Sequence, residues 1–124
     1  MTITGVNLLC LDASTQKTLG FTKVGRVNIG SNVFVGSKTV ILPNVTIGDN
    51  VVIGAGSIVT KNIPSNSIAV GNPCRPIGTF DEYISKQKLL MSDDNVWDKI
   101  PKKLSKDEKE IIKKQLENGI GFIR

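Results

Sequence analysis

Acid–base and nucleophilic chemistry in this 124-residue chain has to be done without histidine, because the sequence contains none. That removes the commonest general base near neutral pH and the commonest zinc ligand, so a Ser-His-Asp hydrolase, a His-based zinc hydrolase and an HExxH protease are all excluded. The two cysteines, Cys10 and Cys74, are too few for a four-thiolate zinc site or a disulfide framework, and read as unpaired thiols; no metal is expected. Cys10 stands in Leu8-Leu9-Cys10-Leu11, where a small buried hydrophobe is a plainer reading than a nucleophile. Asp12 follows, and an unperturbed carboxylate is a weak base near neutral pH. What remains is positive charge: residues 1–78 carry six basic and two acidic side chains, an excess suited to an anionic ligand.

The elements that must position these groups follow from a change in composition near residue 78. Residues 1–78 hold ten of the twelve glycines and eight charges, whereas residues 79–124 hold nineteen charges, ten basic and nine acidic. The expected organisation is a body, 1–78, and a tail, 79–124. Within the body, Ile29-Gly30, Val35-Gly36, Ile41-Leu42, Ile47-Gly48, Ile53-Gly54 and Val59-Thr60 recur in unbroken steps of six. The fifth place of each hexad is small or β-branched as well: Val33, Thr39, Val45, Val51, Ser57 and Ile63. A period of six is neither simple strand alternation nor the 3.6 of a helix, and a sheet coiled on itself at a fixed interval satisfies it. Each hexad then gives a short β segment with its first residue inward, followed by a turn in which Gly or Asn takes positive φ.

Three segments make one triangular coil of about 18 residues. Residues 29–64 supply two coils, and Ile3 to Asp12 part of another in the same parallel ladder. A narrow aliphatic core agrees with an aromatic content of 5%. Residues 14–22 break the period and read as a projecting loop.

The tail reads as two helices. Thr79-Phe80-Asp81-Glu82 and Ser105-Lys106-Asp107-Glu108 are capping-box patterns. The first helix is expected from Phe80 to about Met91, with Phe80, Tyr83, Ile84 and Leu90 on one face. The second runs from Lys106 to about Asn118, with Ile112 and Leu116 one turn apart and Gly119 as its stop. Nucleic-acid or membrane binding through Lys102, Lys103, Lys106, Lys113 and Lys114 is disfavoured, since acidic residues are interleaved and no aromatic platform accompanies them. No run approaches the length of a membrane span, and Met1-Thr2-Ile3-Thr4-Gly5 has neither the basic flank nor the apolar stretch of a secretory signal, so the expected location is cytoplasmic.

The ordered run from Val24-Gly25-Arg26-Val27-Asn28-Ile29-Gly30 through Ile41-Leu42-Pro43-Asn44-Val45-Thr46-Ile47-Gly48-Asp49-Asn50 and Val52-Ile53-Gly54-Ala55-Gly56-Ser57-Ile58-Val59-Thr60-Lys61 to Ala69-Val70-Gly71-Asn72-Pro73-Cys74-Arg75-Pro76-Ile77 resembles the hexapeptide-repeat acyltransferases. It is most similar to the branch of galactoside, maltose, xenobiotic and polysaccharide O-acetyltransferases. The resemblance covers roughly residues 3–78. It implies an all-β body built as a left-handed parallel β-helix ahead of the helical C-terminal tail read above, a homotrimer with active sites between subunits, and acetyl-CoA as acyl donor to a sugar.

Residue by residue, the resemblance places Ser37 near the thioester and pantetheine arm, and Ala55 where that arm passes close to the backbone. It places Thr60 and Lys61 at donor contacts and Arg75 facing the nucleotide phosphates. Small residues for close approach and two fixed cations for a polyanionic cofactor suit that chemistry. Each also has a purely structural reading: Ala55 and Ser57 as small residues in a tight coil, Lys61 and Arg75 as solvated charges.

On the acceptor side the chain departs from the family. Leu11, in Leu9-Cys10-Leu11-Asp12-Ala13-Ser14, stands where the family has its catalytic His, which leaves Asp12 as the one catalytic-position residue, in an orienting role. A positioned general base contributes about 10²- to 10⁴-fold; an amine acceptor needs less help than a hydroxyl. Relatives place further coils before this strand, whereas eleven residues precede Asp12 here. The resemblance therefore implies an N-terminally shortened chain, either a fragment or one whose first coil, with Ile3, Val6, Leu8 and Leu9, is covered by another chain. Two functions follow: an acetyltransferase acting on a sugar or polysaccharide-precursor hydroxyl or amine, or a catalytically inactive trimeric scaffold or binding module.

Overall fold

The computed structural model describes residues 1–93, 95–97, 105–117 and 119–123. Lys102, Lys103 and Asn118 of the expected tail features lie outside the described residues. The chain forms two compact units, Met1–Tyr83 and Ile84–Arg124.

The first unit contains strands β1 (Thr2–Ile3), β2 (Val6–Asp12), β3 (Lys23–Ile29), β4 (Val33–Val35), β5 (Val40–Ile41), β6 (Thr46–Ile47), β7 (Val51–Ile53), β8 (Ile58–Val59), β9 (Ser67–Gly71) and β10 (Cys74–Thr79). A 3₁₀ turn, Ala13–Thr15, and the short helix α1, Gln16–Leu19, join β2 to β3. The strands make three faces: β1-β4-β7-β9-β10, β2-β3-β6 and β5-β8. Successive coils pair in parallel, Asn28 with Thr46, Val33 with Val51 and Val40 with Ile58, so three hexads close one circuit on each face. The last coil is shorter by two residues, pairing Val51 with Ser67 and Ile47 with Ile63. An even deletion preserves the alternation of inward and outward side chains, which is why the core continues through it.

Both the first and the fifth hexad places point inward. Ile29, Val33, Val35, Val45, Ile47, Val51, Ile53, Val59 and Ile63 are buried in one cluster closed by Ala69 and Cys74.

The turns differ from the expected chemistry. The left-handed residues recur every sixth position at Asn32, Lys38, Asn44, Asn50 and Gly56, whereas Gly36 and Gly48 have ordinary φ. Those two glycines are required by close approach: a Cβ on Gly48 would lie 2.8 Å from Ser65 Cα, and one on Gly36 would lie 2.6 Å from Ala55 Cα. Asparagine suits the left-handed places because its short polar side chain tolerates them, and Asn32 Nδ2 donates to Asn50 Oδ1 at 2.7 Å one coil away. Lys38, at φ 59°, has no such compensation. Lys38→Asn is expected to stabilise the unit by about 0.5–1 kcal/mol, read as a higher urea midpoint at unchanged slope.

The opening residues do not extend the parallel ladder. β1 pairs antiparallel with β4, Ile3 opposite Val33, and β2 pairs antiparallel with β3 from Val6–Ile29 to Asp12–Lys23. A parallel neighbour needs a crossover of a dozen residues or more. Residues 13–22 instead double back through the 3₁₀ turn and α1, which ends at Gly20 with φ 75°.

Helix α2, Phe80–Leu90, crosses the boundary between the units, and Thr79 Oγ1 accepts from Glu82 N at 3.1 Å at its start. Phe80 and Ile84 are half-buried; Tyr83 and Leu90 are exposed. In the second unit, β11 (Val96–Trp97) pairs in parallel with β12 (Phe122–Ile123). Between them in sequence, α3, Lys106–Gln115, is capped by Ser105, whose Oγ accepts from Glu108 N at 3.2 Å. Trp97, Ile112, Leu116 and Phe122 line a small apolar cavity of about 180 Å³.

Candidate functional site

The hexad turns stack at the corners between faces, and four of the candidate residues, Ser37, Ala55, Thr60 and Lys61, fall on two of these corners. Ser37 and Ala55 occupy successive turns at one of them, and Gly56 N donates to Ser37 O at 2.8 Å to tie the turns together. Both side chains are exposed, and the glycine before Ser37 lets the two backbones lie almost in contact. Ser57, next to this corner, is fully buried. Its hydroxyl donates to Gly54 O at 2.6 Å and accepts from Gly71 N at 3.1 Å, so its role is to brace the coil.

Across the short β5-β8 face, Thr60 and Lys61 make the next corner, where Leu42 N donates to Val59 O at 3.0 Å. Both are exposed. Arg75 stands on β10 opposite Val70, exposed, with Nη1 donating to Cys74 O at 3.0 Å. The structure therefore pairs Ser37 with Ala55 and Thr60 with Lys61, while Arg75 lies on a separate strand.

Thr60 also shares a cleft with Asp12. Asp12, Lys23, Val24, Leu42, Pro43 and Thr60 line a cleft of about 390 Å³. Asp12 and Lys23 are directly opposed in the β2–β3 ladder, and Asp12 Oδ2 lies 2.7 Å from Lys23 Nζ. Asp12 Oδ1 accepts from Ser14 N at 2.9 Å. The bond to Lys23, and then that to Ser14, lower the Asp12 pKa to about 2. Asp12 is thus a poorer base than a free carboxylate, and a better fixed anion.

Because this pKa is depressed in the folded state, the pair's stabilisation is complete above the ordinary aspartate range and is lost as pH falls from there towards about 2. The urea midpoint is expected to fall over that window by less in Asp12→Asn than in the parent chain, and carbon NMR of the carboxyl should give the same low midpoint.

Leu11 is 72% exposed and sits opposite Val24. Strand alternation turns it to the other face from Asp12. Cys10 is half-buried against the core and Cys74 is fully buried; burial pushes the Cys74 thiol up from its ordinary pKa. Neither cysteine has the exposed, electropositive setting of a reactive thiolate. Among the described residues no cluster of three or more His, Cys, Asp or Glu is placed to hold a metal ion, and no helix is long and apolar enough to cross a membrane. The functional candidate missed in the sequence is Lys23; its signal is its place opposite Asp12, which is visible only once the hairpin register is known.

Residues 26–61 match the bacterial transferase hexapeptide family (six repeats). A provisionally named acetyltransferase of Staphylococcus aureus (strain MRSA252) is 51% identical over 70 residues, 56% of this chain and 35% of that protein. Protein CapG of Staphylococcus aureus is 50% identical over 86 residues, 69% of this chain and 46% of its own length. Among solved structures, a maltose O-acetyltransferase from Clostridium difficile 630 is 47% identical with a TM-score of 0.50, covering 61% of this chain and 39% of the other. A galactoside acetyltransferase in complex with coenzyme A is 46% identical with a TM-score of 0.52, covering 64% and 40%. The chain spans between a third and a half of the length of these relatives. Over the matched residues the chain is similar to hexapeptide-repeat transferases, and its relatives include provisionally named and structurally characterised acetyltransferases.

Proposed function

We propose that this chain is an acetyl-CoA-dependent acetyltransferase acting on a hydroxyl or amine of a sugar or polysaccharide precursor, built on a left-handed parallel β-helix and working as a cytoplasmic homotrimer. The observation that carries this reading is the pair of stacked corners. Ser37 and Ala55 expose a small-residue passage whose sides are fixed by the coil, and Thr60 and Lys61 stand at the next corner. Ser37, Ala55, Thr60 and Lys61 all lie within the stretch matched to the hexapeptide family, residues 26–61, and one structural neighbour is a galactoside acetyltransferase in complex with coenzyme A. In this reading the pantetheine arm runs past Ala55 towards Ser37, Lys61 and Arg75 meet the nucleotide phosphates, and the acceptor enters beside Asp12.

The acyl step itself needs an attacking lone pair and a place for one proton. The acceptor nitrogen or oxygen bonds to the thioester carbon, the C–S bond breaks, and the departing coenzyme A thiolate takes the proton the acceptor loses. With no histidine in the chain and Asp12 held ionised by Lys23, this balance favours a neutral amine, which is nucleophilic before it loses its proton. The same two observations support a second reading, a trimeric scaffold or binding module that has kept the donor corner without turnover.

Calorimetric titration with acetyl-CoA, with light scattering on the same sample, tests the first reading. One saturable site per subunit in a trimer is the expected result. No binding by a well-folded trimer would overturn it.

A further inference from the structure

Resting on the acetyltransferase reading, we infer that the Asp12–Lys23 pair is a clamp for two adjacent hydroxyl groups of an uncharged sugar, and that this cleft selects neutral acceptors over phosphorylated or carboxylated ones. The two ends of the pair have opposite and unspent hydrogen-bonding capacity. A carboxylate offers about four acceptor positions, and Asp12 uses one from Ser14 N and one from Lys23. An ammonium has three donors, and Lys23 is bonded to Asp12 alone among the described residues. The Lys23 side chain is 57% exposed and that of Asp12 29%, so a ligand can reach both without unfolding the hairpin.

The ligand that fits such a pair donates at one atom and accepts at its neighbour. Vicinal hydroxyls do both: one donates to an Asp12 oxygen, and the oxygen of the next accepts from Lys23 Nζ. The pair sums to zero charge, so a phosphate gains little from Lys23 that it does not lose to Asp12. Val24, Leu42 and Pro43 on the cleft wall offer apolar contact for the C–H face of a pyranose ring, and the Thr60 hydroxyl sits on the same wall, beside the donor corner.

The test is an NMR titration of the whole chain, following the Asp12 carboxyl carbon and the Lys23 Cε resonance. The probes are methyl α-D-mannopyranoside, its 3-deoxy analogue, which has no two hydroxyls on adjacent carbons, and glucose 6-phosphate, and acetyl-CoA binding is measured on the same sample. The mannoside is expected to shift both resonances saturably, and removal of one hydroxyl to weaken it about tenfold. Glucose 6-phosphate should bind no tighter than the neutral sugar. Asp12→Asn and Lys23→Met should each weaken the mannoside by about tenfold or more; Lys23→Arg should retain it, and Lys86→Met, in the exposed tail, should leave it unchanged. Acetyl-CoA binding with no shift at Asp12 or Lys23 would overturn the clamp and leave the transferase reading standing. Clamp binding without acetyl-CoA binding would do the reverse. Tighter binding of glucose 6-phosphate would overturn the selection of neutral acceptors.

Discussion

Ala55→Trp is expected to abolish acetyl-CoA binding, a loss of about 100-fold or more in affinity, while leaving the unfolding free energy within about 0.5 kcal/mol of the parent chain. The two halves of this expectation come from the same geometry. Ala55 is exposed at a corner and its φ is unstrained, so an indole there extends outward and displaces no core atom. The corner it fills is the one joined to Ser37 by the Gly56 N–Ser37 O bond, and a passage bounded by backbone cannot widen to admit a pantetheine arm beside a tryptophan. Calorimetry and equilibrium unfolding on one preparation decide it. An Ala55→Trp chain that still binds acetyl-CoA normally would remove the donor path from this corner, and a chain that unfolds would show the corner to be structural.

The second large effect concerns the coil itself. Ile53→Ala is expected to cost about 3 kcal/mol, within the range of about 2–5 kcal/mol for such truncations. Ile53 is fully buried and pairs with Val35 on one side and Ala69 on the other. The three stacked strands cannot close over the space it leaves, because each is held by parallel hydrogen bonds: Gly36 N donates to Ile53 O at 2.8 Å and Gly54 N to Ala69 O at 2.9 Å. Ile41, in the same phase of the hexad but only half-buried, should lose about half as much on the same change, since less of its surface leaves water. Urea midpoints of the two variants test the ranking; equal losses would mean that the hexad phase alone, and not burial, sets the cost.

The hexad phase was legible in the sequence because a coil repeats one local environment. Ile29, Ile47 and Ile53 announce the core at first sight, as do the capping residues Thr79 and Ser105, whose side chains make the bonds their patterns imply. What the sequence hid depends on contacts between distant segments. Nothing local distinguishes a glycine used for positive φ from one used for close approach, and it took the proximity of Ser65 to Gly48 to assign it. The two-residue shortening of the last coil leaves no mark on the in-and-out pattern, since that pattern has period two. The direction of β2, expected parallel and found antiparallel, is hidden for a related reason: alternation looks the same in parallel and antiparallel strands, and only the connection through residues 13–22 decides between them. With the direction wrong, Lys23 could not be seen facing Asp12. Ser37, Ala55, Thr60, Lys61 and Arg75 follow from resemblance rather than from spacing, and the structure sorts them into two corners and a separate strand.

The antiparallel strands at the two ends of the long face carry a consequence for self-association. A column of identical parallel coils is a template: its last rung offers the same register to any copy of the same sequence, which is how cross-β fibrils grow. Here the outermost strands on that face, β1 and β10, run against their neighbours. A hexad arriving from another molecule meets a strand of reversed direction and aperiodic sequence at either end of this face, so the long face offers the repeat no matching rung.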